Sequence, residues 1–440
     1  MFKKYFQALG DIETIRSTGS VKKAVGLVIE SQGPPVSVGE ICHIESERGQ
    51  SLMPVEVIGF RDEVTLSMPL GELKGVKLGD RVIASGKSPS AAVGADLLGR
   101  VVNSLCQPLD GKGPIRFEQE YSLQPAAINP LLRENIKEPL STGVRAIDGL
   151  LTCGQGQRIG IFGGSGVGKS TLLGMMSRYT TAEVNVIALV GERGREVRSF
   201  IENDLGEDGL RRSVVVASTS DDTPLMRIRA ALTATSIAEY FKDKGKNVLL
   251  IMDSVTRFAM ALREVGLAAG EPPSARGYTP SVFSFLPRLL ERAGNFSNAG
   301  SITGFYTVLV EGDDMNDPIA DTIRSILDGH IVLSRDLAMK NHYPCIDINA
   351  SISRLMSSVA SKPHAKAGGK LRELLATYRS AEDLINIGAY SKGTNPKIDA
   401  AIEKHDPIAN YLKQPSEQPE TFNAAVDSLI TMFSEQEMSA

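Results

Sequence analysis

The chain has 440 residues, 42% hydrophobic and 23% charged, the proportions of a folded globular protein, which exclude a disordered or fibrous chain. At about 150 residues per domain the length predicts roughly three domains, and a chain this long buries most of its apolar surface without disulfide or metal staples. Lys and Arg total 48 against 52 Asp and Glu, a net charge of -4, with no Trp and 5% aromatics, which argues against nucleic-acid binding as the main task, since that calls for a basic surplus and stacking surfaces.

At the N-terminus, the apolar stretch of residues 5–9 is too short for a signal peptide, and no apolar run approaches the ~20 residues that span a bilayer. Cys42, Cys106, Cys153 and Cys345 form no C-x-x-C pair, and the five histidines show no metal-ligand spacing. Free thiols in a reducing compartment are expected, hence a cytoplasmic protein. Lys3 and Lys4 beside Phe2, Tyr5 and Phe6 are compatible with peripheral docking at a membrane surface.

Residues 21 to about 90 read as β. Val55/Val57 and Val64/Leu66/Met68 are alternate positions, and Gly33-Pro34-Pro35 and Gly79-Asp80 punctuate the runs, the spacing of a small barrel or sandwich. A turn-rich hairpin is expected over 97–113, and an extended connector over 123–142, where Pro125, Pro130 and Pro139 recur. From about 143 to 360, short apolar runs alternate with helical segments. The strand candidates are 158–162, 184–190, 213–216 and 248–252, continuous runs typical of a parallel sheet covered on both faces. After a turn over 362–370 the remainder reads as helices, with Val426, Leu429, Ile430 and Phe433 on one apolar face. The expected units are a β-barrel with a short extension (1–90), a hairpin and connector (91–142), an α/β core (143–360) and a helical domain (361–440).

Gly163-Gly164-Ser165-Gly166-Val167-Gly168-Lys169-Ser170 matches G-x-x-x-x-G-K-[ST], between a predicted strand and a helix opening at Thr171. In that setting the glycines let backbone N–H groups curl around a phosphate at the positive end of the helix. Lys169 then reaches the β- and γ-phosphates of a nucleotide and Ser170 ligates Mg²⁺. The run 248–252 ends in Asp253, a carboxylate that lands beside this loop because ligands sit outside the C-terminal strand ends; the plainer reading is a helix cap. The strand 184–190 ends at Gly191-Glu192-Arg193-Gly194-Arg195-Glu196. Glu192 is placed to polarise water for in-line attack, with an ordinary salt bridge to Arg193 or Arg195 as the plainer reading. Glu196, a helical turn further on, is the weaker base.

These strings, with Gly277-Tyr278-Thr279-Pro280-Ser281 and His342-Tyr343-Pro344-Cys345-Ile346-Asp347 through Ser353-Arg354, resemble the hexameric rotary-ATPase-like proteins. The resemblance implies a RecA-like P-loop NTPase core with a parallel sheet, a small N-terminal β-barrel and a C-terminal helical domain. Cys345 stands where that family more often has Ala or Ser. Within the superfamily, Gly270-Glu271-Pro272-Pro273-Ser274-Ala275-Arg276 and the acidic string 311–321 are similar to the type III export ATPases, and Ile387-Gly388-Ala389-Tyr390-Ser391-Lys392-Gly393 to the flagellar branch in particular. The resemblance implies ATP hydrolysis by a homohexamer that energises export of flagellar proteins. It assigns Glu192 as the catalytic carboxylate, Asp253 as the Mg²⁺-linked acid, and Arg193 and Arg257 to the phosphate pocket. Tyr343 becomes the aromatic under adenine, in place of a core tyrosine, and Arg354 the finger reaching a neighbour's nucleotide, in place of a surface ion pair. It also implies a dimeric stator-like regulator, a coiled-coil stalk protein, export-gate membrane proteins, chaperones and flagellar substrates as partners, at the cytoplasmic face of the inner membrane. The alternatives are an injectisome ATPase, the catalytic subunit of a rotary proton-translocating synthase, an RNA-tracking helicase of the same core, and a non-catalytic nucleotide-binding subunit.

Overall fold

The computed structural model describes residues 17–45, 52–310, 312 and 314–434. Residues 2–6, where peripheral membrane docking was expected, lie outside the described residues, as do Glu311 and Asp313 of the acidic string.

Six strands, β1 (Thr18–Val25), β2 (Val28–Gln32), β3 (Ile41–Glu45), β4 (Leu52–Arg61), β5 (Val64–Pro69) and β6 (Arg81–Lys87), close into a barrel in the order β1-β2-β5-β4-β3-β6. Alternate residues Val55 and Val57 join Val21, Ile29, Cys42, Ile44 and Val82 inside, and closure leaves no unpaired edge. Met68 and Leu70 pack against Leu225 and Met226, and Glu56 pairs with Arg229 at 3.4 Å across the same junction, so the barrel is seated on the core by apolar contact and one nearly buried ion pair.

Past the barrel come β7 (Ser90–Val93), β8 (Arg100–Val102), β9 (Gln119–Ser122), β10 (Pro139–Leu140) and β11 (Cys153–Gly154). They lead to β12 (Arg158–Gly163), β13 (Val184–Glu192), β14 (Ser213–Thr219), β15 (Asn247–Asp253), β16 (Gly294–Asn295), β17 (Ser301–Leu309), β18 (Gly329–Leu333) and β19 (Ile346–Ser353). The central sheet runs β19-β18-β12-β17-β15-β13-β14-β8, with β16 paired to β17. It is parallel except for β19 and β16. One apolar cluster fills the face under the helices Pro224–Asp243 and Val255–Ala269. The other lies between the sheet, the helix Lys169–Tyr179 and the C-terminal helices.

One expectation is met and one needs correction. The hairpin expected over 97–113 forms: the return leg bridges Pro108 to Val102 and the Leu109 amide bonds the Val101 carbonyl at 2.8 Å. Arg100 grips Asp110 at 2.8 and 2.9 Å beside it, and the first leg, β8, also joins the sheet edge, parallel to β14. The turn expected over 362–370 is the start of a helix, Lys362–Asn386. Ser361 caps it by accepting from the His364 amide, and Pro363 sits in the first turn, where its missing N–H costs nothing. Gly368 and Gly369 gave that stretch its turn-like look. A methyl group on Gly368 would approach Met356 Cε at 3.3 Å and Leu150 at 3.7 Å, so the glycine serves close packing inside a helix.

Candidate active site

The loop after β12 puts Gly166 and Gly168 in left-handed backbone, φ +80 and +78, a conformation only glycine adopts freely. The helix that follows begins at Lys169 with no side-chain cap, so its first amides and positive end face whatever sits in the loop. From the other side, Tyr343 brings its ring within 3.4 Å of where a Gly168 side chain would begin. Tyr343 is 43% exposed, so it is no core tyrosine. The Cys345 thiol donates to the Val167 carbonyl of the same loop; a thiol at this position ties the loop to the Tyr343 segment where Ala could not.

β13 and β15 are adjacent and end on the same rim as this loop. Lys169 Nζ bonds Asp253 Oδ1, and Thr307 Oγ1 from the intervening β17 donates to the same oxygen at 2.6 Å. Asp253 does not cap the next helix: Ser254 does, accepting from the Arg257 amide. Thr307 is a site residue that sequence reasoning missed.

Glu192 is buried to 8% exposure. Its Oε1 lies 3.3 Å from Arg257 Nε and 3.9 Å from Lys169 Nζ, yet it receives no hydrogen bond. Burial, the Asp253 charge and the hydrogen bond that the protonated Glu192 carboxyl donates to Glu196 push its carboxyl up to about 7, against the pull of Lys169 and Arg257. The salt bridge expected with Arg193 or Arg195 is therefore made by Arg257, which also donates to the Gly191 carbonyl at 2.7 Å. Arg193 is set apart: its side chain is 72% exposed and its ion-pair partner is Glu196, at 3.7 Å. Ser170 and Thr171 are exposed at the helix start.

Arg354 is nowhere near this rim. It follows β19, which runs antiparallel to β18, and its amide bonds the Asp328 carbonyl while the Asp328 amide bonds that of Arg158. Arg158 is the first of the 6 residues of β12 and Gly163 the last. At about 3.3 Å per residue, roughly 20 Å separate Arg354 from the glycine loop of its own chain. The guanidinium is exposed and reaches the Arg324 carbonyl, at 3.5 Å, and no carboxylate among the described residues.

Residues 143–353 match the model of the ATP synthase alpha/beta family nucleotide-binding domain, residues 21–86 that of its beta-barrel domain, and residues 360–431 that of the T3SS EscN ATPase C-terminal domain. The chain is 53% identical to the flagellum-specific ATP synthase of Bacillus subtilis (strain 168), over 97% of each chain. It is 50% identical to the type 3 secretion system ATPase of Xanthomonas euvesicatoria, over 95% of this chain and 94% of that one. Among solved structures, the assembled ATPase EscN from the enteropathogenic E. coli type III secretion system superposes with a TM-score of 0.89 at 46% identity, covering 94% of this chain and 99% of that one. EscN in complex with its central stalk EscO gives 0.87 at 45% identity, with the same coverage. With relatives of this likeness along nearly its whole length, the chain belongs to the flagellar and type III secretion ATPases of the ATP synthase alpha/beta family.

Proposed function

We propose that the chain is a flagellar export ATPase, hydrolysing ATP to ADP and phosphate in a homohexameric ring and so energising passage of flagellar proteins through a type III apparatus. The observation that carries the reading is the division of the site: a loop, two acids and two cations converge on one rim, while Arg354 stands on the opposite rim. A head-to-tail ring of identical subunits brings the second rim of one copy to the first rim of the next and completes every site. Assembled EscN, and EscN with its stalk EscO, support the ring and a coiled-coil stalk partner. The match to the EscN C-terminal model favours an export ATPase over a rotary synthase subunit.

In this reading the backbone amides of 164–169 and Lys169 hold the terminal phosphates, and Tyr343 stacks on adenine. Lys169, bonded to Asp253 here, turns to the phosphates when a nucleotide enters. Ser170 and Asp253 fit Mg²⁺: a hydroxyl and a carboxylate are hard oxygen donors, and this cation keeps several waters of its own. Bound there, Mg²⁺ supplies neutralisation of charge on the phosphate oxygens. The Oε1 of Glu192, ion-paired to Arg257 but without a hydrogen bond, accepts one from the attacking water and takes its proton. The water oxygen bonds to the terminal phosphorus, the bridging P–O bond breaks, and ADP leaves. Arg257 orients Glu192, Arg193 lines the outer wall, and the neighbour's Arg354 stabilises charge on the transferring group.

The remaining partners are proposed on family likeness: a dimeric stator-like regulator and membrane lipid at the N-terminal end, the export gate, chaperones and substrates at the C-terminal helices. No helix among the described residues is long and apolar enough to cross a membrane. The test is phosphate release by the purified chain as a function of its concentration, beside flagellin export in a strain whose own copy is replaced. Turnover that rises steeply with concentration, and export lost together with it in Lys169→Ala, fit the proposal. Turnover per chain independent of concentration refutes the shared site.

A further inference from the structure

Glu192 faces the pocket because β13 breaks its ladder one residue earlier. Val190 pairs with Ser218 and Glu192 with Thr219, leaving Gly191 as a bulge with φ +69, and such bulges re-aim the side chain that follows. Two arginine stems back this bulge. A methyl group built on Gly191 would lie 3.1 Å from Cδ of Arg257 and 3.4 Å from Cδ of Arg227. Arg257 also bonds the Gly191 carbonyl. Arg227 comes from a different element, the first turn of the helix Pro224–Asp243, and its head group turns away from the bulge. Its Nη2 donates to Glu264 Oε2 at 3.0 Å. Glu264 lies seven residues after Arg257 on the helix Val255–Ala269, hence on the same face of it.

Resting on the assignment of Glu192 as the water-orienting carboxylate, we infer that Arg227, anchored by Glu264, is a positioning residue for ATP hydrolysis. Its guanidinium is occupied by Glu264 and its apolar stem by the bulge, the division of labour that long cationic side chains permit. The Arg227 side chain is 15% exposed, and its Nε is buried without a hydrogen-bond partner, so hydrophobic contact by the stem accounts for its place. Without the stem, the wall beside Gly191 opens, the bulge and Arg257 shift together, and the Glu192 carboxylate leaves the line of attack. The phosphate loop is untouched, so nucleotide binding should not change.

The experiment measures kcat and KM for ATP on assembled full-length Arg227→Ala, Arg227→Met, Glu264→Gln and, as reference, Glu192→Gln, each with its melting temperature. Misplacing a catalytic group by about 1 Å costs on the order of 10²-fold, so Arg227→Ala should lose roughly 10- to 100-fold in kcat. Its KM should stay within about twofold, the mark of an interaction made in the transition state only. Arg227→Met keeps the stem and should recover most of the lost kcat, with Glu264→Gln intermediate. Wild-type kcat in Arg227→Ala beside an inactive Glu192→Gln overturns the inference. So does a kcat in Arg227→Met as low as in Arg227→Ala, or a rise in KM matching the fall in kcat. If Arg227→Ala does not fold, the methionine variant decides: its kcat must stay near wild type. Normal turnover by Glu192→Gln is a different failure, that of the catalytic assignment beneath.

Discussion

The two rims of the central sheet are built on opposite principles. On the rim of C-terminal strand ends, Lys169, Asp253, Thr307, Glu192 and Arg257 are held by one another, and the two carboxylates are 4% and 8% exposed. On the other rim the Arg354 side chain is exposed and, among the described residues, bonded only to a neutral carbonyl. A preorganised cluster is what electrostatic catalysis needs, because dipoles and charges already in place cost no reorganisation in the transition state. A solvated arginine on a short tether is what a group needs if it must be delivered to another chain. In the ring proposed above, each subunit owns the buried half of the site and lends the exposed one.

The comparison breaks most sharply at Arg354. Arg354→Ala should lower ATPase turnover by about 10³- to 10⁵-fold, roughly 4 to 7 kcal/mol of barrier, and leave nucleotide binding by the monomer intact. Steady-state turnover and fluorescent-nucleotide titration check the two halves of that statement. Glu192→Gln removes the base from the buried rim and should cost about 10²- to 10⁴-fold in kcat, again with binding preserved.

The burial of that rim also has a titration signature. A carboxyl raised from 4.5 to about 7 stays protonated, and reactive to an apolar carbodiimide, up to near neutrality. In nucleotide-free protein, labelling of Glu192 should therefore fall as pH rises, with a midpoint near 7. Because burial comes first and the Asp253 charge second among its causes, Asp253→Asn should move the midpoint down without restoring the ordinary value. A midpoint near 4.5 in the unmodified chain would mean that the rim is wetter than described. Smaller still, Tyr343→Ala removes an aromatic platform worth about 1 kcal/mol and should weaken ATP binding about fivefold with kcat little changed. Ser361→Ala, far from either rim, should cost about 1 kcal/mol in unfolding free energy. No loss there would favour the turn first expected at 362–370 over the capped helix.

The buried rim was largely legible in the sequence, and the physical reason is local. A glycine-rich loop between strand and helix, and two apolar runs each ending in an acid, are contiguous patterns, and parallel strands deliver their C-terminal ends to one edge. What escaped was set by contacts distant in the chain. The central strand β17 is interrupted by Thr303, Gly304 and Thr307, so its run looks broken, and only the structure shows Thr307 reaching Asp253. Arg227 and Glu264 carry no motif; their meaning lies in a bulge that appears once β13 and β14 are paired. At 362–370 a glycine pair read as a turn, because the neighbours that crowd Gly368, Leu150 and Met356, are distant in the sequence or belong to another element. Arg354 was named by resemblance alone, and its distance from the loop of its own chain became visible only when β19 was seen to run antiparallel.

The most direct test of the shared site is a mixing experiment. Lys169→Ala and Arg354→Ala chains should each be inactive alone, one lacking the loop cation and the other the lent arginine. Mixed in equal amounts with ATP and Mg²⁺, with ring formation followed by sedimentation, they pair an intact loop with an intact Arg354 at about a quarter of random head-to-tail contacts. Turnover should therefore return to about a quarter of wild type. Mixed rings that form and remain inactive would contradict a site built from two subunits.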